Sequence, residues 1–175
     1  MRRTLQQEIK QSRPFRSREE EAYLSVIRTA DLLARDIADR LKDFGISETQ
    51  YNVLRILRGA GPDGHPCSEI GARLITRDPD VTRLLDRMEQ RGLITRARDA
   101  ADRRVVTIRI TADGLALLAE LDGMRRVDEL LGHLGPRRLE QLIELLAAVR
   151  DGAAAAGPRP ATTADPIAPR RRTRR

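Results

Sequence analysis

Apolar residues recur at steps of three and four through most of this chain of 175 residues, and the step shortens to two in one stretch. From Arg18 to about Phe44, Leu24, Ile27, Ala30, Ala34, Ile37, Ala38 and Leu41 share a face, which predicts one long amphipathic helix stopped by Gly45. Ser47 opens a second helix, with Gln50 in capping-box register and Tyr51, Leu54 and Leu57 on one side. The run from Gly59 to Gly64 ends it in a turn. A short helix follows from Cys67 to about Leu74. Asp78 then stands as an N-cap and Pro79 as the first helical residue, where a missing N–H costs nothing. The helix so begun runs to Gln90 and turns Val81, Leu84, Leu85 and Met88 inward.

Beyond Arg91-Gly92 the period changes. Leu93 to Arg96 and Val105 to Ile110 are β-branched and partly alternating, and the polar loop 97–104 between them carries no bulk. This predicts a two-stranded hairpin with a long charged tip. Thr111 caps the next helix, with Leu115, Leu118 and Leu121, and a further apolar stretch holds Val127, Leu130, Leu131 and Leu134. After Gly135-Pro136 a last helix presents Leu139, Leu142, Ile143, Leu146 and Val149.

Charge sharpens this picture once it is divided along the chain. The formal net charge is +7, but residues 1–18 and 152–175 each carry +5, so the body between them sums to −3. Inside that acidic body, residues 73–109 hold ten arginines against six acids. A local positive field of this kind steers one face of a protein onto a polyanion. The final 24 residues, rich in Pro, Ala and Thr, bury too little surface to offset the entropy of ordering, and read as a disordered basic tail.

Composition removes several classes. One cysteine excludes an internal disulfide framework and points to a reducing, cytoplasmic setting. No apolar run reaches the ~18 residues of a membrane span, and the N-terminus lacks the apolar core of a signal peptide. His65, His133 and Cys67 have no second ligand at useful spacing, so neither a metal nor another cofactor is expected. Hydrolase signatures such as Gly-x-Ser-x-Gly and His-Glu-x-x-His are absent, so the chain reads as no enzyme. Its aromatics are Phe15, Tyr23, Phe44 and Tyr51, and none lies in the basic window to stack an unpaired base.

Two short helices joined by a tight turn, followed by a hairpin with an arginine-rich tip, make a winged helix-turn-helix. The expected fold is therefore mainly α with a small β-wing. A basic arm over 1–18 precedes a DNA-binding lobe over 47–110 flanked by helical segments at 19–46 and 111–151, and the tail covers 152–175. The second helix of the lobe is the one slim enough to enter a major groove. Its buried set forces Thr82, Arg83 and Arg87 outward, with Arg77 just ahead of it; Arg83 and Arg87 lie one turn apart, suited to a base edge and a phosphate. The same spacing also suits plain surface pairing with Asp80 and Asp86. Arg98, Arg103 and Arg104 crowd the hairpin tip, an arrangement that the negative potential of a narrow minor groove rewards, and Asp102 is placed to orient the guanidinium of Arg104.

The stretch from Asp102-Arg-Arg104 through Thr111 to Gly114 resembles the wing signature of MarR-type transcriptional regulators: Asp-x-Arg, an aliphatic, Leu-Thr and a glycine. Ile108 and Ile110 at the aliphatic places are a mild departure. Val81 to Ile94 is similar to that family's recognition helix and its exit into the wing, and the resemblance covers about residues 20–150. It implies a two-fold homodimer on double-stranded DNA, with 19–46 and 111–151 as its helical dimerisation region, Arg104 in the minor groove and Asp102 holding it. Two recognition helices then stand about one turn of DNA apart, ~34 Å, and read a pseudo-palindromic operator. Control by a small-molecule effector is common in such regulators; Tyr51 and Arg55 are placed to line such a site, with Tyr51 as core and Arg55 as a surface group the plainer alternative. A repressor is the leading reading, and a winged-helix protein-interaction module the alternative.

Overall fold

The computed structural model describes residues 3–76, 78, 80–98, 105–123 and 127–157. It divides into two compact units, Met1–Met124 and Arg125–Arg175.

The first unit begins with a single turn, α1 (Leu5–Glu8), capped by Thr4. The long helix predicted next is α2 (Arg18–Lys42); the Ser17 hydroxyl accepts from the Glu20 amide, three glutamates fill the first turn, and Arg40 and Lys42 occupy the last. That distribution opposes the helix dipole at both ends. Asp39 is held below the usual carboxylate range by its hydrogen bond from Lys42, and Lys42 is raised in return. In α3 (Glu48–Ala60) the capping box is as expected: Ser47 accepts from the Gln50 amide and Gln50 accepts from the Ser47 amide. Val53, Leu54 and Leu57 on this helix are fully buried and form the centre of the core. Ile46 and Leu41 join it from the α2 end, and Leu118 and Leu121 from α6 (Ala112–Gly123). The core of the winged lobe thus extends into the helices on either side of it.

A 3-10 turn, Gly61–Asp63, leads to β1 (His65–Pro66), then α4 (Cys67–Arg73), α5 (Val81–Gln90), β2 (Ile94–Arg98) and β3 (Val106–Ile110). The hairpin predicted from the sequence is a three-stranded antiparallel sheet, ordered β1-β3-β2. A two-residue strand containing proline carries no periodicity, which is why the sequence shows only a turn there. Its position depends on Gly64, at φ +71°, where an added Cβ would overlap the carbonyl of Ile108. In β2 and β3, Ile94 faces Ile110 and Arg96 faces Ile108. The hairpin base is locked to α6 by Thr111, whose amide donates to the Leu93 carbonyl at 3.1 Å and whose hydroxyl donates to that of Gly92 at 2.6 Å.

The second unit holds α7 (Val127–Leu131), a 3-10 turn over Gly132–Leu134, and α8 (Pro136–Ala156). Gly135, at φ +72°, and Pro136 start α8 as the sequence predicts. Its end differs: the helix continues through Ala156, past the start of the segment read as a disordered tail at residue 152. Four consecutive alanines, the best helix formers, extend it until Gly157 stops it at φ +61°. Residues 158–175 of that tail lie outside the described residues. Among the described residues, no helix is long and apolar enough to cross a membrane.

Candidate nucleic-acid interface

Helices α4 and α5 form the helix-turn-helix, anchored by Ile70 on the first and Leu84, Leu85 and Met88 on the second, all buried. The turn between them is tied to α3 by the Asn52 side chain, which accepts from the Ile75 amide at 2.8 Å. The N-cap differs from expectation. Asp80, not Asp78, caps α5, accepting from the Arg83 amide at 3.1 Å. The Asp78 carboxylate is occupied instead by the Asp80 amide, 2.8 Å away, as a local turn. Pro79 lies outside the described residues. The shift puts Thr82 and Arg83 in the first turn, where unsatisfied N–H groups and the positive end of the dipole favour an anion.

Beyond its buried side, α5 carries two polar stripes. Thr82, Asp86 and Glu89 follow one line and Arg83, Arg87 and Gln90 the next, each at steps of four and three. Thr82, Arg83 and Arg87 are exposed, as the sequence predicts. Arg83 is 83% exposed and rests against Asp80, Nε to Oδ2 at 3.1 Å, so the plain surface pairing is present for this residue. Such a pair contributes little to stability and separates readily. Arg87 makes no ion pair with any described residue, and Asp86 faces another element.

That element is β2. Arg96, not singled out from the sequence, reaches Asp86 with Nη2 at 2.6 Å and Glu89 with Nε at 3.3 Å, and Nη2 lies 3.3 Å from the Thr82 carbonyl. Arg98 is exposed at the end of the strand. Arg77 and the tip residues Asp102, Arg103 and Arg104 lie outside the described residues. A second residue missed from the sequence, Arg91, donates to the carbonyls of Phe44 and Gly45. The period-two alternation that sets Arg96 on the face of Ile94 was the signal for the first; nothing local marks the second.

Tyr51 and Arg55 line an open cleft of about 130 Å³ with Ile37, Asn52, Ile75 and Thr76 among its other walls. The Arg55 guanidinium lies 5.8 Å from the Tyr51 ring centroid, within cation–π range. The Tyr51 hydroxyl donates to Asp122 at 3.0 Å, and Arg58 pairs with the other oxygen of the same carboxylate. The ring is half-buried against the core, so the plainer reading of Tyr51 holds alongside its place in the cleft. Cys67 is half-buried, and the described residues contain no cluster of three metal-ligating side chains.

A helix-turn-helix whose second helix is exposed, bracketed by an arginine-bearing antiparallel hairpin, defines a winged-helix protein of the DNA-binding class. The family model of the MarR family matches residues 46–106. The HTH-type transcriptional regulator MhqR of Bacillus subtilis (strain 168) is 30% identical over 107 residues, spanning 60% of this chain and 72% of that protein. Among solved structures, a MarR transcription factor from Planctomyces limnophilus is 40% identical with a TM-score of 0.57, covering 77% of this chain and 99% of that one. MepR of S. aureus, in its complex with DNA, is 27% identical with a TM-score of 0.64, over 74% of this chain and 97% of its own. The chain belongs to the MarR family. It is a winged-helix transcriptional regulator that binds DNA.

Proposed function

We propose that the protein is a repressor that binds a pseudo-palindromic duplex operator as a homodimer, in the cytoplasm and without catalysis. The observation that carries this reading is the Arg83–Arg87 stripe: two exposed guanidinium groups one turn apart, on a helix whose opposite side is fixed in the core. Residues 47–110 serve as the DNA-binding lobe. Thr82, Arg83 and Arg87 meet the major groove and its phosphates. Arg77, Arg98 and Arg103 add phosphate contacts, while Arg104, oriented by Asp102, enters the minor groove.

Dimerisation falls to 19–46 and 111–151, and its support is exposed apolar surface. On α2, Tyr23, Val26 and Ile27 form one outward stripe; on α8, Ile143, Leu145 and Val149 are more than half exposed. Surface of that kind is rare on a monomer and marks a site of association. An effector would enter the cleft beside Tyr51 and Arg55, where a guanidinium next to an aromatic face suits an anionic aromatic compound.

Selection of bound duplexes from random DNA tests the proposal. The expected product is a palindrome with half-sites about one helical turn apart, bound with an affinity that falls steeply with salt. Enrichment of no sequence, together with binding indifferent to salt, overturns it.

A further inference from the structure

Arg96 occupies a position on β2 that alternation assigns to the same face as fully buried Ile94, and its side chain is only 25% exposed. A guanidinium withdrawn from solvent to this extent needs carboxylates at hand. Asp86 and Glu89, on adjacent turns of α5, supply them at 2.6 and 3.3 Å, and the Thr82 carbonyl in the first turn adds a third contact. One wing side chain therefore spans the whole stripe that lies beside Arg83 and Arg87.

The electrostatic consequence concerns the approach of phosphates. From Asp80 to Arg91 the chain carries three acids and three arginines, a rod with no net charge. Asp80 is occupied by Arg83, and Arg91 is directed at the carbonyls of Phe44 and Gly45. Asp86 and Glu89 then stand uncompensated unless Arg96 covers them. Both are part-exposed on the same helix as Arg87, and an uncompensated carboxylate repels a phosphate that approaches within a Debye length of about 8 Å.

We infer that Arg96 is a positioning residue for DNA recognition: it acts through Asp86 and Glu89, cancelling their charge and fixing β2 against α5, and touches no phosphate itself. This rests on the reading of α5 as the helix that meets duplex DNA.

The test uses the full chain and a labelled duplex obtained by the random-DNA selection, titrated by fluorescence anisotropy at several salt concentrations. Arg96→Gln is expected to bind at least about tenfold more weakly at low salt, and the deficit should shrink as added salt screens the uncovered carboxylates. Added to the D86N/E89Q pair, which removes the charges that Arg96 serves, the same substitution should cost less than about threefold. Arg96→Lys keeps the cation and should fall between wild type and Arg96→Gln; it carries the test if Arg96→Gln unfolds at the assay temperature. Four results overturn the inference: wild-type affinity in Arg96→Gln, an equal loss in both backgrounds, a loss that persists in full at high salt, or Arg96→Lys as weak as Arg96→Gln. A wild-type chain that selects no duplex defeats the reading of α5 and this inference with it. A wild-type chain that binds, alongside any of those four results, defeats only the role of Arg96.

Discussion

Arg91, the residue that closes α5, donates Nη2 to the carbonyl of Phe44 at 3.0 Å, just past the end of α2, and Nη1 to the neighbouring Gly45 carbonyl at 2.5 Å. Carbonyls at a helix C-terminus have no partner within the helix, and a cation there also opposes the dipole. The end of the recognition helix is thus fastened to the end of the longest helix in the unit. Arg91→Gln is expected to cost about 1 kcal/mol. In thermal melts this lowers Tm by a few degrees, and an unchanged Tm would show the contact to be energetically silent.

Asp80 performs two separable tasks, capping α5 through the Arg83 amide and pairing with the Arg83 guanidinium. Asparagine caps as well as aspartate but carries no charge. Asp80→Asn should therefore leave thermal stability within about 0.5 kcal/mol of wild type while strengthening binding to unselected duplex DNA. Asp80→Ala, which removes the cap as well, should cost about 1 kcal/mol. Equal melting temperatures for the two variants would contradict the cap assignment.

If Arg83 reads a base edge, Arg83→Ala weakens the selected operator by about 1–3 kcal/mol and broadens the base preference at one position in each half-site. Arg104→Ala should weaken operator binding by a comparable amount without a change of consensus in the major groove. Repeating the selection with each variant separates the two effects. Operator affinity unchanged by Arg104→Ala would count against the wing assignment.

Leu145 is 66% exposed on α8, so most of its apolar surface is left to solvent within its own unit. Leu145→Glu is expected to convert a dimer to a monomer in sedimentation experiments at micromolar concentration, since a desolvated carboxylate costs several kcal/mol. The helical content of the chain should be retained. A dimer that persists would place the interface elsewhere.

What the sequence determined was whatever depends on residues close together along the chain. The capping box of Ser47 and Gln50, the inward set Leu84, Leu85 and Met88, the β-branched strands and the glycine before α8 all follow from spacings of two to four residues. Where two local solutions were equally good, the sequence did not choose. Asp78 and Asp80 are both competent caps, and in the folded chain α5 starts at the second, with the Asp78 carboxylate taken up by the Asp80 amide. The strand His65–Pro66 exists because β3 offers it a partner, and its own two residues carry no pattern.

The polar contacts that position the interface were decided by tertiary structure alone. Arg91 finds its carbonyls 46 and 47 positions away, Tyr51 finds Asp122 across 71, and Arg96 meets carboxylates on a different element. A charged side chain has no periodicity that names its partner, because any carboxylate or carbonyl within reach will serve and reach is fixed only when the apolar faces have closed. Hydrophobic pattern therefore specified which helix turns outward, and the folded core specified which of its charges remain available to DNA.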